Sequence, residues 1–206
     1  MASWWDRIVV PRLIACGCTQ KELMELRHKV VPKAHGKVLE IGAGGGANFP
    51  LYDRTKVSSL TGIDPSPELL AIARQRAAGD ALAFELYEGV AEALPFADNV
   101  YDTVVITFTL CSVSDPAQVL AEARRVLKPG GTLLFLEHGR SPDPGPQKWQ
   151  RRIEPLWKRL TGNCHLTRAA TANVEASGLI LQDHGSAYQP GYPKLLAWME
   201  WGEARK

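Results

Sequence analysis

The sequence predicts an α/β fold in which helices cover both faces of a doubly wound, mostly parallel sheet. The first observation is a short apolar run at residues 37–41 that leads directly into four glycines within residues 42–46. This pattern is typical of a strand, a tight turn and the start of a helix. The second is the regular alternation of strand-like and helical runs, which favours parallel strands joined by right-handed crossovers. At 206 residues the chain is long enough for a single domain with a substantial core.

Seven runs of apolar or β-branched residues predict strands. The run at residues 103–108 is apolar or β-branched throughout, which is typical of a strand buried on both faces. Two others are bounded by clear turn signals, since Pro65 follows one strand and Gly131 precedes another. The predicted strands are residues 37–41, 59–64, 83–88, 103–108, 132–137, 179–183 and 195–202.

Five runs with helical periodicity alternate with these strands. Thr19 and Glu22 have the spacing of a capping box at the start of the first helix. Ser66 is expected to cap a helix whose first residue is Pro67, and Asp115-Pro116 is expected to start the next helix. The predicted helices lie within residues 19–31, 67–78, 115–127, 147–160 and 168–176.

The glycine-rich loop is compatible with two classes of ligand. Gly42-x-Gly44-x-x-Ala47 satisfies the dinucleotide pattern, and Asp64 lies about 20 residues further on, where a ribose-binding acid belongs. The same kind of loop wraps S-adenosylmethionine, which carries an ammonium and a sulfonium but no phosphate. Glu40 favours the second ligand, because a carboxylate at this point would repel a pyrophosphate. A purely structural role, in which Glu40 caps nearby backbone donors, is the alternative.

Composition excludes several other classes of protein. The net charge of +2 gives no basic footprint, so nucleic acid is not an expected partner. The four cysteines lack the spacing of a disulfide framework and no secretory signal precedes them, which indicates reduced thiols and a cytoplasmic location. Cys16, Cys18, Cys164 and His165 do not have the spacing of a zinc module, so no metal is expected.

The first 36 residues predict a helical lid on the domain that follows. The apolar run at residues 8–16 is too short to span a bilayer and contains Pro11 and Arg12, so no transmembrane segment is expected. Trp4 and Trp5 pack as part of the lid in this interpretation, while a peripheral membrane contact stays open. The domain boundaries are therefore 1–36 for the lid and 37–206 for the main domain. The oligomeric state is not determined by the sequence.

Five short motifs follow one another in a fixed order. They are Val38-Leu39-Glu40-Ile41-Gly42-x-Gly44-x-Gly46, Gly62-Ile63-Asp64-Pro65-Ser66, Ala91-Glu92-Ala93-Leu94-Pro95-Phe96, Tyr101-Asp102 and Arg125-Val126-Leu127-Lys128-Pro129-Gly130-Gly131. At these intervals they resemble the class I S-adenosylmethionine-dependent methyltransferases, specifically over about residues 38–138. The resemblance implies a seven-stranded Rossmann-like sheet and S-adenosylmethionine as cofactor.

The resemblance also implies a set of cofactor-binding residues. The glycines would approach the methionine and ribose, with Glu40 at the amino-acid end and Asp64 accepting both ribose hydroxyls. Val90 stands where many relatives have Asp or Asn, so Glu92 or backbone must serve the polar edge of the adenine. The implied set is Glu40, Gly42, Gly44, Gly46, Asp64, Pro65, Ser66, Ala91, Glu92, Thr107 and Phe108.

A narrower resemblance concerns the second half of the chain. Leu110-Cys111-Ser112-Val113, Phe135-Leu136-Glu137-His138, Pro155-x-Trp157 and Cys164-His165-Leu166-Thr167-Arg168 are similar to the small-thiol methyltransferases of animal membranes and their bacterial relatives. The hydrophobic N-terminal anchor of the animal enzymes is not expected here. A small-molecule acceptor, favoured to be a thiol, follows, with His138 as candidate base and Trp149, Trp157 and Arg168 as candidate substrate residues.

Three functions are compatible with these observations. Methyl transfer to a small molecule is favoured, with a lipid amine, a phenol or a quinone ring as alternatives to the thiol. A nicotinamide-dependent oxidoreductase is the alternative from another class, although Glu40 and the absence of a substrate domain argue against it. A non-catalytic protein that binds S-adenosylmethionine is the third.

Overall fold

The computed structural model describes residues 20–206. Trp4, Trp5, Cys16 and Cys18, and most of the predicted lid, lie outside the described residues. The strands are β1 (Gly36–Ile41), β2 (Val57–Asp64), β3 (Phe84–Glu88), β4 (Tyr101–Thr107), β5 (Leu127–His138), β6 (Ile180–Tyr188) and β7 (Trp198–Arg205). The helices are α1 (Lys21–Val30), α2 (Pro67–Ala77), α3 (Pro116–Val126), α4 (Pro144–Leu160), α5 (Ala170–Ala176) and α6 (Lys194–Ala197). Short 3₁₀ turns occupy Val31–Lys33 and Phe49–Leu51.

The seven strands form one sheet in the order β3-β2-β1-β4-β5-β7-β6. The first five strands pair in parallel, whereas β7 runs antiparallel to both of its neighbours, β5 and β6. The predicted mostly parallel, seven-stranded sheet is therefore confirmed. The strand order reverses between β1 and β4, and ligands bind outside the carboxyl ends of strands at such a switch point.

Apolar cores lie on both faces of the sheet. Neighbouring residues on β1 point to opposite sides, with Val38 packed in one core and Leu39 in the other. The Val38 core includes Leu26 of α1, whereas the Leu39 core includes Val119 of α3 and Val174 of α5. Because both faces are covered, the strands near the switch point are fixed from both sides.

The predicted Ser66 cap and the predicted start of a helix at Asp115-Pro116 are confirmed. The Ser66 hydroxyl accepts a hydrogen bond from Leu69 N at 3.2 Å, and the Asp115 carboxylate accepts bonds from Ala117 N and Gln118 N. The first helix differs from the prediction, since α1 begins at Lys21 with Gln20 as its N-cap and no capping side-chain bond. Thr19, the expected cap, lies outside the described residues.

Three strand boundaries were predicted wrongly near the end of the chain, and the first is the end of β6, which continues to Tyr188 instead of stopping at Asp183. Lys194–Ala197 is a short helix, and β7 begins only at Trp198 and runs to Arg205. Gly202 does not end the strand as expected. A Cβ there would lie 2.9 Å from a ring carbon of Phe135, so glycine serves close packing across the sheet. In β5, Leu127 already pairs with Tyr101, ahead of the irregularity that precedes Thr132.

Within residues 20–206, no helix combines the length and the hydropathy needed to cross a bilayer.

Candidate active site

A cavity of about 390 Å³ opens at the carboxyl ends of β1, β2 and β4. It lies at the switch point of the sheet, where the loops after these strands meet. Ten of the eleven predicted cofactor residues line it. These ten residues are Glu40, Gly42, Gly44, Asp64, Pro65, Ser66, Ala91, Glu92, Thr107 and Phe108. Gly46 is the exception.

The glycines after β1 are required by the path of the backbone. Gly42 and Gly44 have φ values of +72° and +53°, which favour glycine. A Cβ on Gly42 would lie 2.0 Å from the Thr109 hydroxyl oxygen, so the loop after β4 packs directly on this glycine. Gly46, with φ +77°, is shaped by another contact, because a Cβ there would lie 2.7 Å from ring carbons of Phe49. Glycine is therefore required at position 46 by the packing of the turn on Phe49, and not by contact with the cavity.

Asp64 joins the glycine loop to the start of α2. One carboxylate oxygen accepts a hydrogen bond from Gly44 N at 2.9 Å and the other accepts one from Ser66 N at 2.9 Å. Only 7% of the residue is exposed, and this burial raises the pKa of the carboxyl group against the effect of the two backbone donors. Each oxygen keeps a lone pair for a further donor.

Glu40 lies at the inner end of the cavity and is almost fully buried. Asn48 Nδ2 donates to one of its oxygens at 2.9 Å, and the Tyr52 hydroxyl donates to the other at 2.7 Å. Burial raises the pKa of Glu40 to about 7, although both hydrogen bonds and nearby Arg27 oppose this shift. The acid is therefore poised to ionise when a cationic group enters the cavity.

Arg27 of α1 is a cavity residue that sequence reasoning missed. Its guanidinium donates to Asn48 Oδ1 at 2.6 Å and to Thr107 Oγ1 at 2.7 Å, and lies 4.8 Å from the centre of the Phe108 ring. It is only 4% exposed. A signal was present in the sequence, because Arg27 interrupts the apolar stripe of its helix, and a cation inside such a stripe needs polar partners.

The loops at the opposite end of the cavity are joined by Glu92. Its carboxylate accepts hydrogen bonds from Ser114 N at 2.8 Å and Asp115 N at 3.3 Å. Val90 also lines the cavity and is half exposed, so this end has an apolar wall. Glu92 therefore holds the rim of the cavity in shape.

The loop after β4 is held by a buried carboxylate on the neighbouring strand. Glu137 accepts hydrogen bonds from the backbone N–H groups of Thr109, Leu110 and Cys111, at 2.8, 2.9 and 3.2 Å. The residue before them, Phe108, has φ +53°, a value that is uncommon outside glycine. The three bonds to one side chain stabilise this turn, which forms one wall of the cavity.

The predicted catalytic and substrate residues occupy a different place. None of His138, Trp149, Trp157 and Arg168 is among the described residues that line the cavity. Arg168 Nη1 donates to the backbone carbonyls of Leu110 and Val113, at 2.6 and 2.8 Å, and so supports the loop from behind. Trp149 lies on the surface of α4 and is 54% exposed.

The sequence of this chain is similar to those of known methyltransferases. The sequence profile of a methyltransferase domain matches residues 39–135. A thiol S-methyltransferase of Rattus norvegicus is 40% identical over 146 residues, which cover 67% of this chain and 57% of that protein. A demethylmenaquinone methyltransferase of Thermus thermophilus is 31% identical over 176 residues, which cover 80% of this chain and 78% of that protein. The chain belongs to the class I S-adenosylmethionine-dependent methyltransferases.

The fold agrees with that of solved methyltransferases. An S-adenosylmethionine-dependent methyltransferase from Thermotoga maritima superimposes with a TM-score of 0.69 at 22% identity, covering 98% of this chain and 97% of that one. The chain spans only about half to three fifths of the length of the first curated relatives it matches, 57% for the rat thiol methyltransferase and 49% for a quinone C-methyltransferase of Roseobacter denitrificans.

The cavity residues fit S-adenosylmethionine, the cofactor of this methyltransferase family. Glu40 and Asp64 give the cavity two carboxylates, which suit a sulfonium, an ammonium and sugar hydroxyls, and Glu40 beside the glycine loop would repel a pyrophosphate. In front of Gly44 the space is open, since a Cβ there would meet only the Gly42 carbonyl oxygen at 4.0 Å. A ligand can therefore approach the backbone closely, and the nicotinamide alternative is not supported.

A pH dependence of stability follows from the pKa of Glu40. The folded methyltransferase keeps Glu40 protonated up to about pH 7, whereas the unfolded chain ionises near 4.5. The stabilisation is thus complete below about pH 4.5 and is lost as pH rises to about 7, on the order of 3 kcal/mol for this group.

We expect urea denaturation of the cofactor-free protein to show this decline in stability between about pH 4.5 and 7. Glu40→Gln should flatten it, leaving the share of Glu137, whose pKa burial also raises to about 7. An equal slope in the variant would contradict the assignment.

Proposed function

We propose that this methyltransferase methylates a small molecule, with a thiol as the favoured acceptor. The observation that carries the proposal is the grouping of Glu40, Arg27 and Asp64 in one cavity of a chain 40% identical to a thiol S-methyltransferase. Bound S-adenosylmethionine supplies an electrophilic methyl group on its sulfonium. A quinone ring is the second candidate acceptor, favoured by the similarity to the Thermus demethylmenaquinone methyltransferase over 78% of its length.

Each end of the cavity has a proposed binding role. Glu40 and Arg27 together suit a zwitterionic amino acid, since one can pair with the ammonium and the other with the carboxylate. Asp64 would accept the two ribose hydroxyls with its remaining lone pairs. The wall around the adenine would be formed by Pro65, Ser66, Val90, Ala91 and Glu92, while Gly42, Gly44, Thr107 and Phe108 would border the methionine and ribose.

The lining of the cavity supports an acceptor that needs little help from a base. Within residues 20–206, its titratable groups are Arg27, Glu40, Asp64, Arg76 and Glu92, and neither histidine nor cysteine is among them. A free thiol ionises near pH 8.5 without a protein base, and its thiolate is a strong nucleophile. For such an acceptor the protein needs mainly to position the two reactants and exclude water. His138 then has its role outside the cavity.

The acceptor is tested by a methyl-transfer assay over small thiols of differing acidity, with amines, phenols and a demethylated quinol in parallel. We expect S-methylation of apolar thiols at a rate that rises with pH. The midpoint of this rise should follow the pKa of each thiol, because the substrate's own ionisation supplies the nucleophile. Turnover of a quinol with no turnover of any thiol would contradict the thiol proposal and leave the cofactor site intact.

We further propose that the outer face of α4 contacts membrane surfaces that hold apolar acceptors. Trp149, Leu156 and Leu160 lie on one helical face and are 54%, 62% and 44% exposed. Five cations share the helix, while its one acid, Glu154, turns towards Thr167 and accepts two hydrogen bonds of 2.8 Å from it. The cations are Lys148, Arg151, Arg152, Lys158 and Arg159. An apolar stripe flanked by cations suits an anionic lipid surface.

Vesicle sedimentation tests this contact. The protein should bind phosphatidylglycerol-containing vesicles more strongly than pure phosphatidylcholine vesicles, because the cations of α4 add to burial of its apolar stripe. The double variant Trp149→Ser and Leu156→Ser should lose most of this binding. Ile180→Ser, which removes a 65% exposed side chain from β6, is the matched control and should bind like wild type. Equal binding by all three proteins would contradict the proposal.

The first 36 residues and the location of the protein also belong to this proposal. Residues 1–36 are proposed to form a lid over the domain at residues 37–206, supported by the contribution of Arg27 in α1 to the cavity wall. A cytoplasmic location is supported by Cys111 and Cys164, which are both free thiols.

A further inference from the structure

A cluster of polar side chains lies behind the cavity wall and is not used by the proposed methyl transfer. Cys164, in the segment after α4, is partly buried, and the side chains of Cys111, His138 and Trp157 lie close enough to its thiol to influence its pKa. These residues come from the loop after β4, the end of β5 and α4. Three separate elements therefore converge on one sulfur atom.

The hydrogen bond of His138 fixes where its proton lies. His138 Nε2 is 2.8 Å from the carbonyl oxygen of Leu196, and a carbonyl only accepts, so Nε2 carries the hydrogen. In the neutral ring, Nδ1 then has a free lone pair. Because His138 lies beside Cys164, Nδ1 is the ring nitrogen that can accept the thiol proton.

Two buried nitrogens beside Cys164 have no conventional hydrogen bond. Within the part of the chain that the structure describes, His138 Nδ1 and Trp157 Nε1 are buried without a partner of normal geometry. Buried polar atoms are nearly always satisfied, so this pair needs an explanation. A thiolate at Cys164 would accept from both nitrogens once the thiol proton has moved to His138. The local arrangement thus favours the ionised sulfur.

We propose that Cys164 is a reactive thiolate and that Cys111 is its resolving partner, so that the two form a redox-modification site for peroxides. The proximity of Cys111, reinforced by His138 and Trp157, lowers the pKa of Cys164 below that of a free thiol against the effect of burial. The pKa of Cys111 is raised well above the usual value, first by its bond to Cys164 and then by burial. The two thiols therefore differ as an attacking and a resolving cysteine should.

The backbone around the two cysteines is already joined. His165 N donates to the Cys111 carbonyl at 2.7 Å, and Asn163 Nδ2 donates to the Ser112 carbonyl at 2.8 Å. Arg168, which bonds to the same loop, adds a positive charge near the sulfurs, while Glu137 adds a negative charge. A disulfide would thus link two segments that already touch.

The chemistry balances with a peroxide as oxidant. The Cys164 thiolate attacks one peroxide oxygen, so that an S–O bond forms, the O–O bond breaks and the leaving hydroxide takes the proton held by His138 as water. The Cys111 thiol then attacks the sulfenic sulfur, forming the S–S bond and releasing a second water. Two thiols and one peroxide give one disulfide and two waters.

Oxidation of Cys111 and Cys164 would alter the wall of the cofactor cavity. Ser112 and Val113, the residues after Cys111, line its wall. A disulfide at Cys111 would fix this wall to the segment that carries Cys164. We expect the affinity for S-adenosylhomocysteine to change by at least about threefold between the reduced and oxidised forms. This effect rests on the proposed methyltransferase function, whereas formation of the disulfide does not depend on which molecule accepts the methyl group.

The experiment uses the full chain with Cys16→Ser and Cys18→Ser, which leaves only Cys111 and Cys164. Hydrogen peroxide should remove both alkylatable thiols and two hydrogen atoms of mass within a monomer, and dithiothreitol should restore them. With Cys111→Ser added, Cys164 should be trapped by dimedone as a sulfenic acid. With Cys164→Ser added instead, Cys111 should react at least about tenfold more slowly.

A second measurement tests the role of His138 in a protein shown to be folded by its circular dichroism. In the protein that carries Cys16→Ser and Cys18→Ser, iodoacetamide at pH 6 should alkylate Cys164 rapidly. His138→Gln should slow this alkylation at least about fivefold. The proposal is overturned if both cysteines alkylate slowly, with a midpoint near the pKa of a free thiol. It is also overturned if peroxide yields no bond between Cys111 and Cys164.

Discussion

Gly42→Ala should destabilise the protein by about 3 kcal/mol and abolish measurable cofactor binding. The added Cβ would lie 2.0 Å from the hydroxyl oxygen of Thr109, which sits within 3.3 Å of the Ile41 carbonyl and 3.2 Å of the Thr107 carbonyl. Overpacking at such a contact costs about 1–3 kcal/mol, and a left-handed φ costs a side chain roughly 1–2 kcal/mol more. Urea denaturation and calorimetric titration with S-adenosylhomocysteine measure the two effects.

Gly130→Ala is the matched control for this substitution. Gly130 has nearly the same φ, +75°, but no atom lies within 4 Å of the Cβ that alanine would add. Its cost should therefore be only the backbone term, about 1–2 kcal/mol, with unchanged cofactor affinity. Equal destabilisation by the two variants would show that the packing of Thr109 on Gly42 contributes nothing.

Asp64→Ala should lower the affinity for S-adenosylhomocysteine at least tenfold in a protein that still folds. The substitution removes the acceptor of the Gly44 and Ser66 N–H groups and the proposed acceptor of two ribose hydroxyls. Hydrogen bonds to a charged group contribute about 1.5–3 kcal/mol each, and tenfold in affinity corresponds to about 1.4 kcal/mol. Calorimetric titration provides the measurement.

Asp53→Ala controls for the loss of a similar turn. Asp53 accepts a hydrogen bond from Thr55 N at 2.9 Å, in the same two-residue arrangement that Asp64 makes with Ser66, but it is not among the described residues lining the cavity. It should leave cofactor affinity unchanged. If Asp64→Ala also binds like wild type, Asp64 has only the structural role of ending its strand.

Most of the sheet could be predicted from the sequence because its strands have strong local signals. The β4 run is apolar or β-branched almost throughout, and Ser66 and Asp115 cap helices with a proline in the next position, as the pattern indicates. The bounds of the last strand, β7, were harder to predict, because they depend on pairing with β5 and not on local residues. Gly202 shows why: a glycine needed for packing against Phe135 is indistinguishable in sequence from a glycine in a turn.

The cavity was predictable where one short motif supplies several of its residues, as in the glycine loop and at Asp64. Arg27 was missed because its contact with Thr107 joins residues 80 positions apart, and no local pattern records such a contact. His138 was predicted as a base from its place at the end of β5. The structure instead points its bonded nitrogen at Leu196, since the direction of a side chain at a strand end depends on neighbours far along the chain.

Because Glu137 binds the loop after β4 through three backbone N–H groups, the shape of this loop does not depend on the loop's own side chains. Thr109, Leu110 and Cys111 are held through their N–H groups, which every residue except proline has. Variation at positions 112 and 113, which face the cavity, would then change its lining without loosening its frame. A diversified library at those two positions, with Glu137 kept, is accordingly a practical starting point for altering which acceptors the protein accommodates.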